Sequence, residues 1–144
     1  MTVHLIKLSV GVESVEHLAE IQQRRLQDAR RIGLGDRLWH QTRNTPRRAE
    51  ELLDGGSIYW IIKGAIRARQ CVRELEPVTD DEGIRRCRLI LDPALAETVA
   101  WPRRPFQGWR YLDPADAPPD LADAGSDAEM PPEMAAELRA LGLI

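Results

Sequence analysis

A continuous apolar run, Ser57 to Lys63 with the sequence SIYWIIK, constrains the fold of this chain more than any other feature. Its β-branched and aromatic residues favour a strand, and an apolar run without polar alternation is typical of a strand in the buried centre of a sheet. Gly55 and Gly56 precede the run, and Gly64 follows it. Because glycine permits tight turns, the pattern predicts a central buried strand with a turn before it and a turn or bulge after it.

Five other segments are predicted to be extended. They cover residues 3–10, 37–43, 65–75, 84–91 and 106–112. The last of them is expected to be an edge strand with a bulge at Gly108. Within the 65–75 segment, the alternation of side chains places Ile66 and Ala68 on one face. A polar loop is expected over 77–83, and a turn or short helix over 92–99.

Two helices are predicted from the residues that begin them. Ser14 is suited to cap the N-terminus of a helix over 15–31. Thr45 followed by Pro46 predicts the N-terminus of a second helix, since proline fits the first helical position. The turn that begins at Asp54 is expected to end this second helix.

The length of 144 residues corresponds to one folded domain. The order of the predicted elements indicates an α+β fold, either a compact, mainly antiparallel mixed sheet or a small barrel, with two or three flanking helices. We expect this domain to cover residues 1–112. An acidic, proline-rich linker is expected over 113–131, and a short C-terminal helix or tail over 132–144.

The net charge of −3 is unevenly distributed along the chain. Residues 113–144 contain eight acidic residues and one arginine, so the rest of the chain carries an excess of positive charge. Of the 20 basic residues, 18 are arginines. Arginine suits phosphate groups and base edges, so this asymmetry indicates an anionic partner. A GC-rich genome would produce the same arginine bias without any function.

The sequence indicates neither a membrane anchor nor a secretion signal. No apolar run approaches the ~20 residues of a transmembrane helix, and the N-terminus lacks the basic region of a signal peptide, so we expect a cytoplasmic protein. Cys71 and Cys87 are too few for a disulfide framework or a zinc site. His4, His17 and His40 have no metal-ligand spacing, so neither a metal nor another cofactor is expected.

Three stretches of the chain resemble a known family. They are HxTRxxPxRAEELLDGGSIYWxIKG over 40–64, GIRRCRLxLDP over 83–93 and RPFQGWRYL over 104–112. They are similar to the sequences of a proteobacterial family known as a domain of unknown function, and the resemblance covers most of residues 1–120. It implies no particular activity.

The order of elements around the apolar run is similar to that of a second group. An arginine and a proline precede a short helix, and a glycine turn, a buried strand and a second strand follow. This order resembles the pseudouridine-synthase-and-archaeosine-transglycosylase (PUA)-like barrels, which include the small ASCH and EVE modules. The resemblance implies a small barrel that binds RNA or modified bases. It also implies a possible hydrolase, because some small ASCH proteins are amidohydrolases of modified cytidine.

Arginines and aromatic residues are concentrated in two segments, 39–48 and 101–111. The arginines are Arg43, Arg47, Arg48, Arg103, Arg104 and Arg110, and the aromatic residues are Trp39, Trp101, Trp109 and Tyr111. Such surfaces bind single-stranded nucleic acids, because cations contact the phosphates and aromatic rings stack on the bases. Free N–H groups at a helix start near Thr45 would favour an anion there. We therefore expect this surface to bind RNA, single-stranded DNA or a modified nucleotide.

A second hypothesis is an amidohydrolase of a modified nucleoside or a small amide. This reaction needs a base or nucleophile beside a proton donor. The candidate residues are His40, Thr42, Tyr59, Lys63 and Glu74. Glu74 is expected to approach Lys63 across adjacent strands, and burial would lower the pKa of Lys63. The sequence does not decide whether the protein is an enzyme.

A third hypothesis is a non-catalytic adaptor. Trp101, Phe106 and Trp109 would then form an exposed patch for a protein partner or for a second copy of the chain. The predicted C-terminal helix, with apolar residues at helical spacing, is another candidate for contact with a second copy.

Overall fold

The apolar run forms the central strand, β3 (Ser57–Ile62), in a computed structural model that describes residues 1–124. All six residues of β3 are buried. Strand β1 (His4–Leu8) pairs with β3 in parallel, and β4 (Ala65–Thr79) pairs with it in antiparallel orientation. Lys63 and Gly64 form the two-residue turn into β4, with φ of +51° and +81°. The predicted central strand is therefore confirmed.

The described residues form one seven-stranded sheet with the order β2-β5-β4-β3-β1-β7, in which β6 also pairs with β4. The other strands are β2 (Leu38–Thr42), β5 (Arg85–Leu91), β6 (Ala96–Pro102) and β7 (Trp109–Leu112). The helices are α1 (Val15–Arg31), α2 (Ala49–Leu53) and α3 (Leu121–Ala124), and a 3₁₀ turn covers Pro114–Asp116. Every strand pair except β1–β3 is antiparallel. This confirms the predicted α+β fold with a mainly antiparallel mixed sheet.

The sheet is open, so the alternative of a small PUA-like barrel is wrong. Strands β2 and β7 lie at opposite ends of the strand order, and each has one strand neighbour among residues 1–124. β7 is the predicted edge strand, although it begins at Trp109. Gly108 lies immediately before the strand, with φ of +76°, and is not a bulge within it.

Strand β4 is long enough to pair with three strands. Its first half pairs with β3 and β6, and its second half pairs with β5. The strand continues through Pro77, which pairs with Cys87. The loop predicted over 77–83 is therefore shorter than expected and begins at Asp80.

One extra residue in β4 reverses the direction of its first side chains. Ala68 pairs with Trp60, whereas Ile66 pairs with Ile61, so Arg67 is a bulge. Trp60 and Ile61 are consecutive residues of β3 and point to opposite faces of the sheet. The expectation that Ile66 and Ala68 share a face is wrong for this reason.

Each face of the sheet has a hydrophobic core. On one face, Leu5, Leu38, Ile58, Trp60, Leu89 and Leu91 pack together with α1 residues Leu18 and Leu26. On the other, Ile6, Tyr59, Ile61, Ile66 and Leu112 pack together, with Trp101 and Phe106 at the margin. We call these the helix face and the far face.

Helix α1 begins and ends as the sequence predicts. The hydroxyl of Ser14 accepts a hydrogen bond from the backbone N–H of His17 at 3.0 Å, which is the N-cap interaction. At the other end, Gly33 has a φ of +87°. The N–H of Leu34 donates to the carbonyl of Ala29 at 2.8 Å, which completes a Schellman motif. Among residues 1–124, no helix is both long and apolar enough to cross a membrane.

Helix α2 is shorter than predicted and begins at Ala49. Thr45 does not cap it. The N-cap position is Arg48, whose backbone N–H donates to the hydroxyl of Tyr111 at 3.0 Å. This contact holds residues 43–48 as a loop against β7. The helix start expected near Thr45, with its free N–H groups, is therefore not formed.

The chain after β5 forms a strand where the sequence predicts a turn or a short helix. The segment over 92–99 was expected to form a turn or helix, but β6 begins at Ala96, because the first half of β4 offers a partner for it. Residues 114–124, within the predicted linker, contact the domain. The N–H of Val99 donates to the carbonyl of Pro119 at 2.9 Å. The rest of the predicted linker and the predicted C-terminal helix lie outside the described residues.

Candidate functional site

The loop before α2 and strand β7 bring together part of the predicted arginine–aromatic surface. The indole Nε1 of Trp109 donates to the carbonyl of Asn44 at 3.0 Å. The rings of Trp109 and Tyr111 are in edge-to-face contact, with centroids 5.0 Å apart. The guanidinium of Arg48 lies 5.2 Å from the centre of the Tyr111 ring and pairs with Glu51. These groups are held on the helix face by contacts within the protein.

Other arginines of the predicted surface lie on the far face. Arg110 alternates with the two aromatic residues of β7, so its side chain points the other way. Its guanidinium lies 4.2 Å from the centre of the Phe106 ring, and that of Arg103 lies 5.7 Å from the same ring. These three side chains and Arg104 line one shallow depression of the surface. The predicted surface is thus divided between the two faces of the sheet, on either side of β7.

Several of these arginines have no ion-pair partner among residues 1–124. They are Arg43, Arg47, Arg103, Arg104 and Arg110. The aromatic residues, in contrast, already have contacts within the protein. Trp101 and Phe106 pack against the far-face core and Trp109 against the helix-face core. The guanidinium of Arg88 lies 5.0 Å from the centre of the Trp39 ring.

The side chains considered for hydrolysis do not converge. Lys63 is exposed in the β3–β4 turn, where its ammonium lies 3.0 Å from a carboxylate oxygen of Glu13. Glu74 lies far along β4, roughly 30 Å away at the rise of an extended strand, so it does not approach Lys63. Thr42 is buried and donates to a loop carbonyl at 3.0 Å, and Tyr59 is buried on the far face. His40 is different, because it lines a cavity.

This cavity has a volume of ≈160 Å³ and lies on the helix face, between α1 and the strands β1, β2 and β3. Three basic side chains line it: Lys7 from β1, Arg25 from α1 and His40 from β2. The alternation of β1 turns Lys7 to the same face as Leu5, and that of β2 turns His40 to the same face as Leu38. We call this space the cation cavity.

The two cations of the cavity have no partner of opposite charge. No aspartate or glutamate lines the cavity, and neither Lys7 nor Arg25 has an ion-pair partner among residues 1–124. Arg25 is exposed, but Lys7 is half-buried, and this burial lowers the pKa of its ammonium group. Burial of an unpaired charge opposes folding. The arrangement therefore indicates a site for an anion.

His40 is the third basic side chain of the cation cavity. Its Nε2 is buried and has no hydrogen-bond partner among the described residues. Burial, together with the positive charges of Lys7 and Arg25, lowers the pKa of His40 to about 4. The imidazole is therefore neutral near pH 7, and its Nε2 can donate or accept one hydrogen bond, according to the tautomer.

A buried amide pair holds the wall of the cavity in place. Nε2 of Gln22 donates to Oε1 of Gln70 at 2.7 Å, and Nε2 of Gln70 donates to Oε1 of Gln22 at 2.8 Å. Oε1 of Gln70 also accepts a bond from Nε1 of Trp60 at 3.0 Å. The ring of Trp60 contacts the imidazole of His40 edge-on, with centroids 5.0 Å apart. Because this network is satisfied, it fixes the position of His40.

The sequence interpretation names His40 but misses Lys7, Gln22 and Arg25. Gln22 carries a detectable signal, since it lies four residues from both Leu18 and Leu26, within the apolar stripe of α1. Arg25 lies one turn further along the same side of the helix. Lys7 gives no such signal, because its burial depends on which strands flank β1.

A family model described as a protein of unknown function (DUF1489) matches residues 5–144. No curated protein and no solved structure matches the chain. Within the part of the chain that the structure describes, no three His, Cys, Asp or Glu side chains are placed to hold a metal ion together. The geometry of the cation cavity is therefore the main indication of function.

Proposed function

We propose that this chain, which belongs to the DUF1489 family of proteins of unknown function, binds a small molecule through a phosphate group in the cation cavity. The observation that carries the proposal is the pair of cations, Lys7 and Arg25, which have no ion-pair partner among residues 1–124 and line a cavity to which no carboxylate of these residues contributes. A phosphate monoester carries nearly two negative charges at pH 7 and balances both cations. A carboxylate would balance only one of them.

Isothermal titration calorimetry with ribose 5-phosphate tests this proposal. We expect binding that weakens with added salt, and a loss of affinity of at least tenfold in both Lys7→Met and Arg25→Met. Arg24→Met is the matched control, because Arg24 is exposed on the same helix and does not line the cavity. Equal affinity in all four proteins, or no binding at low salt, would show that the cavity is not a phosphate site.

A second candidate function is the binding of RNA or single-stranded DNA along β7. It is favoured by the five arginines without ion-pair partners among residues 1–124, which flank this edge strand on both faces. Because the rings of Phe106, Trp109 and Tyr111 already have contacts within the protein, we expect phosphate contacts to contribute more than base stacking. Affinity should then fall steeply with salt, as counterions are released from the nucleic acid.

Fluorescence anisotropy with a labelled mixed-sequence RNA, at low and moderate salt, measures this second function. The double variant Arg103→Ala/Arg110→Ala should reduce the slope of log affinity against log salt by about 1.4, the contribution of two phosphate contacts on a single strand. Arg24→Met serves as the control and should leave the RNA affinity unchanged, because Arg24 is an exposed residue of α1. An unchanged slope in the double variant would remove β7 as the binding surface.

A further inference from the structure

A second, larger space lies beside the cation cavity. This outer groove has a volume of ≈510 Å³ and shares Arg25, Trp39 and His40 with the cavity. It lies between the second half of α1 and strand β2. A ligand whose phosphate lies between Lys7 and Arg25 would therefore have the rest of its atoms in this groove.

One wall of the outer groove is the free edge of the sheet. Strand β2 pairs with β5 alone among the described strands. Along its other edge, N–H and C=O groups of the main chain point away from β5 without a strand partner. This edge offers a row of alternating hydrogen-bond donors and acceptors to a ligand in the groove.

The opposite wall of the groove is apolar at its far end. Ala29 of α1 and Ile32, the C-cap residue that follows the helix, line it. Ile32 is 70% exposed, so its aliphatic surface is accessible to a ligand. A flat ring with polar atoms on its edge would fit between this wall and the free edge of β2, with its face on the apolar side chains.

Apart from Arg25, which the two spaces share, the charged side chains that line the outer groove are paired with other side chains. Asp28 pairs with Arg31, and Arg37 pairs with Glu76. The groove therefore suits an uncharged part of a ligand, whereas the cavity suits a charged part. The two spaces together fall within the usual size range of small-molecule sites.

We infer that the ligand is a nucleoside 5′-monophosphate, with its phosphate in the cation cavity and its base in the outer groove, hydrogen-bonded to the free edge of β2. This inference rests on the proposed function, because it needs the phosphate at Lys7 and Arg25. A single phosphate matches the small volume of the cavity, so monophosphates should bind more tightly than triphosphates.

The test compares three groups of compounds by calorimetry: ribose 5-phosphate, the four nucleoside 5′-monophosphates, and the corresponding nucleosides. At least one monophosphate should bind tenfold or more tightly than ribose 5-phosphate, and the nucleosides should bind weakly. Ile32→Ser should reduce the affinity for that monophosphate to the level of ribose 5-phosphate, without changing the affinity for ribose 5-phosphate. Leu34→Ser is the control, since Leu34 is also exposed, two residues further on, and does not line the groove.

The outcomes separate this inference from the proposed function. If every monophosphate binds like ribose 5-phosphate, and Lys7→Met weakens all of them, the base has no site and the inference fails while the phosphate site stands. If no phosphate compound binds, both fail. A third outcome is that the nucleotides do not bind, whereas an acidic peptide binds, loses affinity in Lys7→Met and shifts the NMR amide signals of residues 38–42. The groove would then accept a peptide strand, and the inference would also be overturned.

Discussion

On the far face of the sheet, the guanidinium of Arg69 donates two hydrogen bonds to Asp120, at 2.6 and 2.7 Å, and a third to the hydroxyl of Ser57 at 2.9 Å. On the helix face, Lys7 and Arg25 line a cavity and have no ion-pair partner among residues 1–124. His4 and His40 also differ in whether a ring nitrogen has a hydrogen-bond partner. Nδ1 of His4 accepts a bond from the N–H of Ser57 at 3.0 Å, whereas Nε2 of His40 has no partner in the described part of the chain.

This difference shows how to distinguish charges that stabilise the fold from charges that are available for function. Paired groups such as Arg69 and Asp120 join the segment after β7 to the sheet, and their removal should cost stability. Unpaired groups on a cavity contribute little to folding or oppose it, and their removal should cost only binding. Substitutions of matched chemistry on the two faces can test this distinction directly.

The largest expected effect is the pH dependence that His40 produces. Its pKa is about 4 in the folded protein, below the ordinary value of 6.5, so the unfolded state binds a proton more readily between these values. The free energy of unfolding should therefore fall as the pH is lowered from 6.5 to 4, by up to about 3 kcal/mol. Urea unfolding at several pH values measures this fall.

His40→Gln is the comparison for this experiment, because the carboxylates and His4 titrate in both proteins. The variant should have a smaller slope of stability against pH in the same window. Identical slopes would show that the imidazole of His40 is not held neutral by its surroundings.

The next effect concerns the paired cation of the far face. Arg69→Met leaves the half-buried carboxylate of Asp120 without its partner, and we expect a loss of about 2 kcal/mol in the free energy of unfolding. Arg67→Met is the matched control on the same strand, since Arg67 has one ion pair at 3.9 Å, with Glu97. Its loss should be below about 1 kcal/mol. Similar losses in the two variants would contradict a special role for the Arg69–Asp120 contact.

A smaller effect is expected from the amide network beside the cation cavity. Gln70→Leu removes the partner of the Trp60 indole N–H and of the Gln22 amide, and should cost about 1.5 kcal/mol. Gln23→Leu, on the exposed side of α1, should change stability little. Thermal or urea unfolding gives both values. A neutral result for Gln70→Leu would mean that these buried polar groups find other partners.

The smallest effect on stability is expected for the unpaired cation. Lys7→Met keeps a long side chain but removes a half-buried charge, so stability should stay within about 0.5 kcal/mol of the original or rise. The same variant is expected to lose phosphate binding. A loss of stability as large as that of Arg69→Met would show that Lys7 is a structural residue, and the contrast between the two faces would then fail.

The parts of the fold that could be predicted from sequence are those with local causes. The apolar run of β3, the Ser14 cap and the glycine after α1 act within a few residues, and the structure agrees with each. The later start of α2 depends on the hydroxyl of Tyr111, which is distant in sequence. The bulge at Arg67 likewise depends on the partners of β4, so neither could be predicted.

The candidate site could be predicted only in part. His40 was identified as a candidate catalytic residue of a hydrolase, and not as part of an anion site. Its cavity is formed by β1, β2, β3 and α1 together, and no spacing along the chain indicates this arrangement. Arg110 and the aromatic residues Trp109 and Tyr111 of β7 were expected to form one surface, but strand alternation divides them between two faces.

The position of β1 between β3 and β7 has a consequence for the order of folding. Leu5 pairs with Ile58 on one side and with Tyr111 on the other, so the partners of the N-terminal strand are about fifty and about a hundred residues away. On a ribosome, β1 leaves the exit tunnel first but lacks one neighbour until Trp109–Leu112 has been synthesised. The strand that is made first is therefore among the last to be fully paired.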